Sequence, residues 1–466
     1  MVAWFVRFTW HDAAMEIEIG RGKKARQAYG FDDIAIVPSR RTRDPDDIDI
    51  SWKLGPYQFE LPMLASAMDG VVSPETAAII GRLGGLAVLN LEGIFTRYED
   101  ADEQLERISE LPKELATREM QEIYREPVKP ELIARRIAEI KEQKVVVAAS
   151  LTPQRVRDYY ELALDAGLDV LVIQGTVVSG EHVSTVSEPL NLKEFIPSLD
   201  VPVVVGGCAS YHTGLHLMRT GAAGVLVGVG PGAACTTRGV LGIGVPQATA
   251  IADVAHARST HMLETGEYCQ VIADGGMRNG GDVSKAIALG ADAVMIGSPL
   301  ARAYEAPGRG FHWGMATFHP TLPRGARVAT TQNGSLEEIL VGPARENDGT
   351  FNLFGGLRTS MATCGHKDLA EFNRAEVVIA PALQTEGKAL QRDQAVGMGA
   401  VGSEASPASF GGVLTEARGH ASAPQVPVSA STSTEAGGHS PAGEHPRFGQ
   451  HATLGGRASN SLPASL

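Results

Sequence analysis

Eight short apolar runs recur along residues 61–298, and each is followed by a segment of helical pattern. Unbroken runs of Val, Ile, Leu and Ala are typical of parallel strands that are covered on both faces. Eight such units predict an α/β fold, a closed (β/α)8 barrel or TIM barrel. A doubly wound open sheet is the alternative, but no G-x-G-x-x-G motif follows any of the runs. The predicted strands are residues 61–68, 84–90, 144–151, 168–175, 201–210, 222–230, 269–276 and 291–298, with the last helix at 299–304.

The domain organisation follows from these units. We predict that residues 29–390 form the barrel, after an N-terminal extension at 1–28. Residues 97–143 are charged and helical in pattern, which indicates a helical excursion between two barrel units. Residues 305–355 are rich in loop formers, and a loop this long is typical of a functional, flap-like segment. Residues 397–466 consist mainly of Ala, Ser, Gly, Pro and His, so a disordered tail is predicted there.

Charge and composition exclude several classes of function. The net charge of −13 provides no basic face for nucleic acid. No apolar run reaches the roughly 18 residues that span a bilayer, so no membrane partner is expected. The N-terminus lacks the features of a signal peptide. The 4 cysteines are too few and too scattered for a disulfide framework. We therefore expect a cytoplasmic protein in a reducing compartment.

A glycine-rich loop with one cysteine follows the sixth apolar run. It spans residues 228–247, "GVGPGAACTTRGVLGIGVPQ", and Cys235 lies in its middle. A lone cysteine is most simply a small buried residue. Here the glycines allow the backbone to approach a ligand, and Arg238 would favour a thiolate. Cys235 is therefore also a candidate covalent nucleophile, and Thr237 beside it could position a water or a leaving group.

Glycine-rich turns also follow the last two predicted strands. Gly276 belongs to "IADGG" and Gly297 to "IGS", and such turns in a barrel commonly bind phosphate through backbone N–H groups. Ser298 adds a hydroxyl, whereas the alternative is a pair of tight turns without a ligand. Asp274 could hold a ribose diol or cap the next helix. Weaker candidates for chemistry lie on the long loop, namely His312, His319, Arg324 and Arg327.

Several long motifs resemble the IMP dehydrogenase/GMP reductase family. "GPGAACTTR" followed by "GIGVPQ" is similar to the catalytic cysteine loop of that family. "YGFDDIAIVPS", "LASAMDGV", "IADGGMRNGGDVSKAIALGADAVMIGS", "EAPG" and "GGLRTSMATCG" match as well, and the resemblance covers residues 29–372. The family fold is a (β/α)8 barrel. The regulatory CBS domains are missing, so the chain resembles a CBS-less, "IMP dehydrogenase-related" branch.

The resemblance implies chemistry at C2 of a purine 5′-monophosphate. Cys235 would attack C2, and hydride would pass between C2 and a nicotinamide cofactor, NAD or NADP. It also implies potassium as a monovalent cation and assembly as a homotetramer or octamer. The implied contacts are Met68 with the base, Asp274 with the ribose, Gly276, Gly297 and Ser298 with the phosphate, Gln174 with the nicotinamide, and the carbonyls of Gly230, Gly232 and Cys235 with the cation.

The sequence departs from the family pattern at several positions. Ala233 stands where a serine contacts the phosphate, and Gln174 stands where an aspartate meets the nicotinamide. The usual "GGN" ends in Cys208. The dehydrogenase flap carries an Arg-Tyr pair that activates water, and residues 305–345 contain no such pair.

Three functions remain open from the sequence. The leading one is NAD-dependent oxidation of IMP to XMP in guanine nucleotide biosynthesis, because hydrolysis needs a lid such as residues 305–355. His312, His319 or Arg324 would then activate water. The missing Arg-Tyr pair and the missing CBS domains favour a GMP reductase, which deaminates GMP with NADPH. The changes at Gln174 and Ala233 favour a catalytically silent regulator that binds purine nucleotides.

Overall fold

Eight parallel strands close into a barrel, which confirms the fold predicted from the apolar runs. The structure is a computed structural model that describes residues 16–180, 182–183, 189–315, 327–380 and 387–397. Each strand pairs in parallel with the next, and the eighth pairs with the first. The strands are β1 Met63–Ala65, β2 Leu86–Asn90, β3 Ala148–Leu151, β4 Val170–Gln174, β5 Val203–Cys208, β6 Gly224–Val227, β7 Gln270–Asp274 and β8 Ala293–Ile296.

The barrel strands are buried on both faces, as their sequences predict. In β4, Val170, Leu171, Val172 and Ile173 are all fully buried. Successive side chains of a strand point to opposite faces, so these four residues pack alternately into the barrel and against the surrounding helices. A polar residue on such a strand is therefore tolerated mainly at its end, as at Gln174.

Helices surround the barrel and connect its strands. Ser73 begins the first of them, because its side chain accepts the N–H of Thr76 in a capping box. No helix in the part of the chain that the structure describes is long and apolar enough to cross a membrane. The α-helices described are α1 Pro74–Arg82, α2 Ala101–Glu110, α3 Lys113–Ile123, α4 Pro130–Lys141, α5 Val156–Asp165, α6 Leu192–Phe195, α7 Tyr211–Met218, α8 Thr237–Leu241, α9 Gln247–Thr265, α10 Gly280–Ala288, α11 Leu336–Leu340, α12 Leu353–Thr363, α13 Leu369–Phe372 and α14 Lys388–Asp393.

Four two-stranded sheets lie outside the barrel among the described residues. One of them joins distant parts of the chain, because Ile34–Ile36 pairs antiparallel with Val377–Ile379. Lys285 of α10 reinforces this corner by donating a hydrogen bond to the carbonyl of Phe31 at 2.7 Å. The other sheets pair Glu16–Gly20 with Lys23–Arg26, Trp52–Leu54 with Tyr57–Phe59, and Phe311–His312 with Val328–Ala329.

The predicted helix at 299–304 is wrong. The chain forms only a 3-10 turn there, Leu300–Arg302. Ala303 has extended backbone and forms a β-bridge with Gly334, so helical backbone ends there. After the long segment that follows, α12 packs against α10. The two helices meet at Gly280 and Gly356, where an added Cβ on Gly280 would lie 3.5 Å from the Cα of Gly356.

The helices of residues 97–143 contact the segment that follows β8. Trp313 is fully buried, and its Nε1–H donates to the hydroxyl of Tyr124, just after α3, at 2.7 Å. The Tyr124 hydroxyl donates in turn to Oδ2 of Asp69 at 2.6 Å. Arg327 donates to the carbonyl of Leu111 at 2.6 Å. The segment is therefore fixed to α2 and α3 on both sides of residues 316–326. The predicted tail at 397–466, apart from its first residue, lies outside the described residues.

Candidate active site

A cavity of about 870 Å³ opens at the carboxyl ends of the barrel strands. This is the face on which barrel enzymes carry their catalytic loops. The structure brings together at this cavity Cys235, Thr237 and all the residues to which the family resemblance assigns a ligand contact. They are Met68, Gln174, Gly230, Gly232, Cys235, Thr237, Asp274, Gly276, Gly297 and Ser298.

Cys235 lies on the loop between β6 and α8, and its side chain is exposed. Its Sγ–H donates to Oγ1 of Thr237 at 3.2 Å, and its N–H donates to the carbonyl of Gly232 at 3.0 Å. The interpretation of Cys235 as a small buried residue is therefore wrong. The other cysteines, Cys208, Cys269 and Cys364, are buried. Burial raises the pKa of the Cys208 thiol to about 12, so Cys235 is the cysteine placed to react.

Arg238 holds the loop together rather than facing the thiol. Its guanidinium donates to the carbonyls of Val229, at 3.4 Å, and Val245, at 2.7 Å. Gly230 has a φ of +76°, and an added Cβ there would lie 2.7 Å from Cγ of Arg238. Both hydrogen bonds of the guanidinium therefore go to backbone, and the expectation that Arg238 favours a thiolate at Cys235 is not supported.

Asp274 ends β7 at the cavity wall. Its Oδ2 accepts a hydrogen bond from Nε2 of Gln174, which ends β4, at 3.1 Å. Desolvation raises the pKa of the Asp274 carboxyl to about 7, although the bond from Gln174 acts in the opposite direction. The alternative role of Asp274 as a helix cap is wrong, because the side chain of Asn279 caps α10. Asp274 is therefore available to a ligand in the cavity.

The glycine turns bring backbone close to the same wall. Gly276 has a φ of +83°, which a residue with a side chain rarely adopts. An added Cβ on Gly297 would lie 2.7 Å from Sδ of Met68. Gly297 thus lets Met68 lie directly over the end of β8. Gly276 requires glycine because of its φ, and Gly297 requires it because a side chain would meet Met68. Without side chains, the backbone at both positions is accessible to a ligand in the cavity.

His312 is the long-loop candidate that the structure places in the cavity. Its Nε2 lies 2.8 Å from Oγ of Ser298, and its Nδ1 lies 2.8 Å from Oγ1 of Thr330. The side chain is only 1% exposed, and desolvation lowers its pKa to about 4. Arg327 instead stacks on Phe311, with its guanidinium carbon 4.3 Å from the ring centroid.

The remaining lid candidates, His319 and Arg324, lie outside the described residues.

The other half of the cavity was not predicted from the sequence. Arg155 stacks on Tyr159, with its guanidinium carbon 5.0 Å from the ring centroid, and both line the cavity. Glu92 Oε1 accepts the N–H of Thr152 at 2.6 Å and also lines it. One sequence feature could have predicted this half of the cavity. Asn90 is a polar residue at the end of the buried strand β2, and the ends of barrel strands face the catalytic side.

The comparisons with known proteins agree with one another. Residues 28–389 match the family model described as the IMP dehydrogenase / GMP reductase domain. An uncharacterized oxidoreductase of Mycolicibacterium smegmatis is 48% identical, over 78% of this chain and 99% of that protein. The inosine-5′-monophosphate dehydrogenase of Methanocaldococcus jannaschii is 27% identical, over 78% of this chain and 95% of that protein.

A crystal structure gives the corresponding result for the fold. An IMP dehydrogenase/GMP reductase-like protein of Corynebacterium glutamicum aligns with a TM-score of 0.74 and 46% identity. The alignment covers 78% of this chain and 97% of that chain.

Proposed function

The chain belongs to the IMP dehydrogenase / GMP reductase family and is an oxidoreductase of that family, and from this premise we propose that it oxidises IMP to XMP with NAD. The observation that carries the proposal is the position of Cys235. Its exposed thiol lies on the wall of the cavity that also contains Asp274, Gly297 and Ser298. A nucleophile, a diol acceptor and a phosphate cradle in one cavity suit a nucleoside monophosphate.

Cys235 begins the proposed reaction by adding its sulfur, as thiolate, to C2 of the purine. Thr237 holds the thiol in the resting arrangement, because its Oγ1 accepts the Sγ–H. Bound NAD would supply the oxidising power as the acceptor of the hydride from C2. Water then adds to C2 and the C2–sulfur bond breaks: the oxygen and one hydrogen stay on XMP, the other hydrogen restores the Cys235 thiol, and the original thiol proton is released to solvent.

Asp274 positions the nucleotide in this proposal. An ionised carboxylate accepts both ribose hydroxyl hydrogens, whereas a protonated one offers a donor that the diol does not need. Because the pKa of Asp274 is raised to about 7, the competent ionised form increases as the pH rises through neutrality. Gln174 donates to the same carboxylate and, from its place at the end of β4, is the residue we propose for contact with the nicotinamide.

A monovalent cation belongs to the same proposal. Backbone carbonyls are the ligands that select potassium in channels, and Gly230, Gly232 and Cys235 supply three from one loop. The Gly232 oxygen already accepts the Cys235 N–H and keeps one lone pair. Three carbonyls on one loop support the proposal of a carbonyl-bound cation. No cluster of His, Cys, Asp and Glu that could hold a metal occurs among the residues that the structure describes.

Absorbance at 340 nm tests the proposal in two reactions, both with potassium. One contains IMP and NAD, and the other contains GMP and NADPH. A rise in the first that Cys235→Ala abolishes, with Cys364→Ala as the matched control at a buried cysteine, supports the dehydrogenase.

The alternative results refute the proposed reaction. A fall in the second reaction instead identifies a GMP reductase. If the absorbance changes in neither reaction but the protein still binds nucleotide, the protein is a regulator.

A further inference from the structure

A chain of hydrogen-bonding side chains runs behind the predicted phosphate site. Thr330, His312 and Ser298 all line the cavity, and each consecutive pair of polar atoms is 2.8 Å apart. Ser298 follows β8, whereas His312 ends one strand of the small sheet after the barrel and Thr330 comes directly after the other. The hydroxyl of Ser298 is thus held by a side chain that the family motifs did not indicate.

The protonation state of His312 limits what this chain can do. The ring is buried, and its pKa is lowered to about 4, so it is neutral near pH 7. A neutral imidazole has one donor nitrogen and one acceptor nitrogen. If Nε2 carries the hydrogen, it donates to Oγ of Ser298, and the Ser298 hydrogen is free to point into the cavity. If Nδ1 carries it, Ser298 must donate to Nε2 and has no hydrogen left for a ligand.

We propose that His312 is a positioning residue for Ser298, and that its Nε2–H tautomer orients the Ser298 hydroxyl as a donor to the phosphate of a bound nucleotide. The inference rests on the proposed function for the presence of that phosphate. An anion accepts hydrogen bonds and offers none, so it selects the tautomer that leaves the Ser298 hydrogen free. Thr330 is compatible with this state, because its hydroxyl can donate to Nδ1.

Substitutions at His312 test the coupling by calorimetric titration of the intact protein with IMP, without cofactor. His312→Leu is expected to weaken IMP binding about tenfold, the size of one hydrogen bond to a charged group. His312→Gln keeps an N–H donor and is expected to restore most of the affinity. In a Ser298→Ala background, His312→Leu is expected to change the affinity less than twofold.

A double-mutant cycle with purely additive losses overturns the proposal, as does an unchanged affinity in His312→Leu. Kinetics with IMP and NAD give a second readout. A phosphate contact is kept from ground state to transition state, so the His312 variants should raise KM and leave kcat unchanged. A fall in kcat at constant KM contradicts the positioning role.

The tautomer can also be measured without any substitution, which covers the case that His312→Leu does not fold. Nitrogen-15 NMR of histidine-labelled protein saturated with IMP should show His312 as the Nε2–H tautomer, and the Nδ1–H tautomer overturns the proposal. Wild-type protein that binds no IMP overturns the proposed function as well. Wild-type protein that binds and oxidises IMP, with His312 in the other tautomer, overturns this inference alone.

Discussion

The hydroxyl of Tyr124 joins the helical segment of residues 97–143 to Trp313 in the segment after β8, and Tyr124→Phe should show how much this contact stabilises the protein. The hydroxyl accepts the Nε1–H of Trp313 at 2.7 Å and donates to Asp69 at 2.6 Å. All three residues are at most 5% exposed. Removing the hydroxyl leaves the Trp313 N–H without its acceptor and removes one donor from a buried carboxylate.

The magnitude follows from the two lost bonds. A buried donor left unsatisfied costs about 1–3 kcal/mol, and a hydrogen bond to a charged group is worth about 1.5–3 kcal/mol. We therefore expect Tyr124→Phe to lower the free energy of unfolding by about 3 kcal/mol, and the midpoint of thermal unfolding by about 4 °C for a folded domain of this size. Circular dichroism during heating measures the second quantity directly.

Tyr160→Phe is the matched control for this prediction. Its hydroxyl donates to Glu161 at the surface, so its removal should change the free energy of unfolding by less than about 0.5 kcal/mol. The double variant Tyr124→Phe/Trp313→Phe should lose less stability than the sum of the single losses, because Trp313→Phe removes the orphaned N–H. If Tyr124→Phe and Tyr160→Phe have the same midpoint of thermal unfolding, the hydrogen bonds of Tyr124 contribute no stability and the reasoning is wrong.

Four further predictions concern the cavity. The kcat/KM for IMP should rise with pH through about 7 as Asp274 ionises, and Asp274→Asn should abolish that rise along with most activity. Because the folded-state pKa of Asp274 is raised, the ligand-free protein should lose stability as the pH rises from about 4 to 7, and denaturant titrations that show a gain instead refute the assignment. Gly297→Ala should raise KM for the nucleotide with little change in melting temperature, because the new Cβ displaces the flexible Met68 side chain. An unchanged KM contradicts the close contact between Gly297 and Met68. Replacing potassium by sodium should lower kcat, and equal rates in both salts exclude a selective cation site on the Cys235 loop.

The barrel was predictable because its strands are buried on both faces, which leaves continuous apolar runs in the sequence. The apolar runs also predicted much of the cavity, because Asp274 and Gln174 are polar residues at the ends of such runs and therefore lie at the catalytic face of the barrel. The last helix was wrong because Ala303 pairs with Gly334, 31 positions further along the chain, and periodicity does not show such a pairing. The exposed position of Cys235 followed from the glycines around it, which have no packed side chains to cover a thiol.

The contacts that could not be predicted depend on how the segments after the barrel strands fold back over them. His312 reaches Ser298 only because a two-stranded sheet folds back over the end of β8. Tyr124 reaches Trp313 across 189 positions. The backbone partners of Arg238 were likewise not predictable, because the sequence gives its distance from Cys235 along the chain but not the direction of its guanidinium. Periodicity and composition do not encode such pairings, which depend on how loops cross above the barrel.

The pairing of Ile34–Ile36 with Val377–Ile379 has a consequence for biosynthesis. The earlier strand leaves the ribosome long before its partner, so it waits as an open edge while nearly the whole barrel is made. Open edges recruit other strands, and long-range pairs form late. A ribosome that stops before residue 377 would release a barrel with one permanently unmatched strand, which makes such truncated products candidates for aggregation and for removal by proteases.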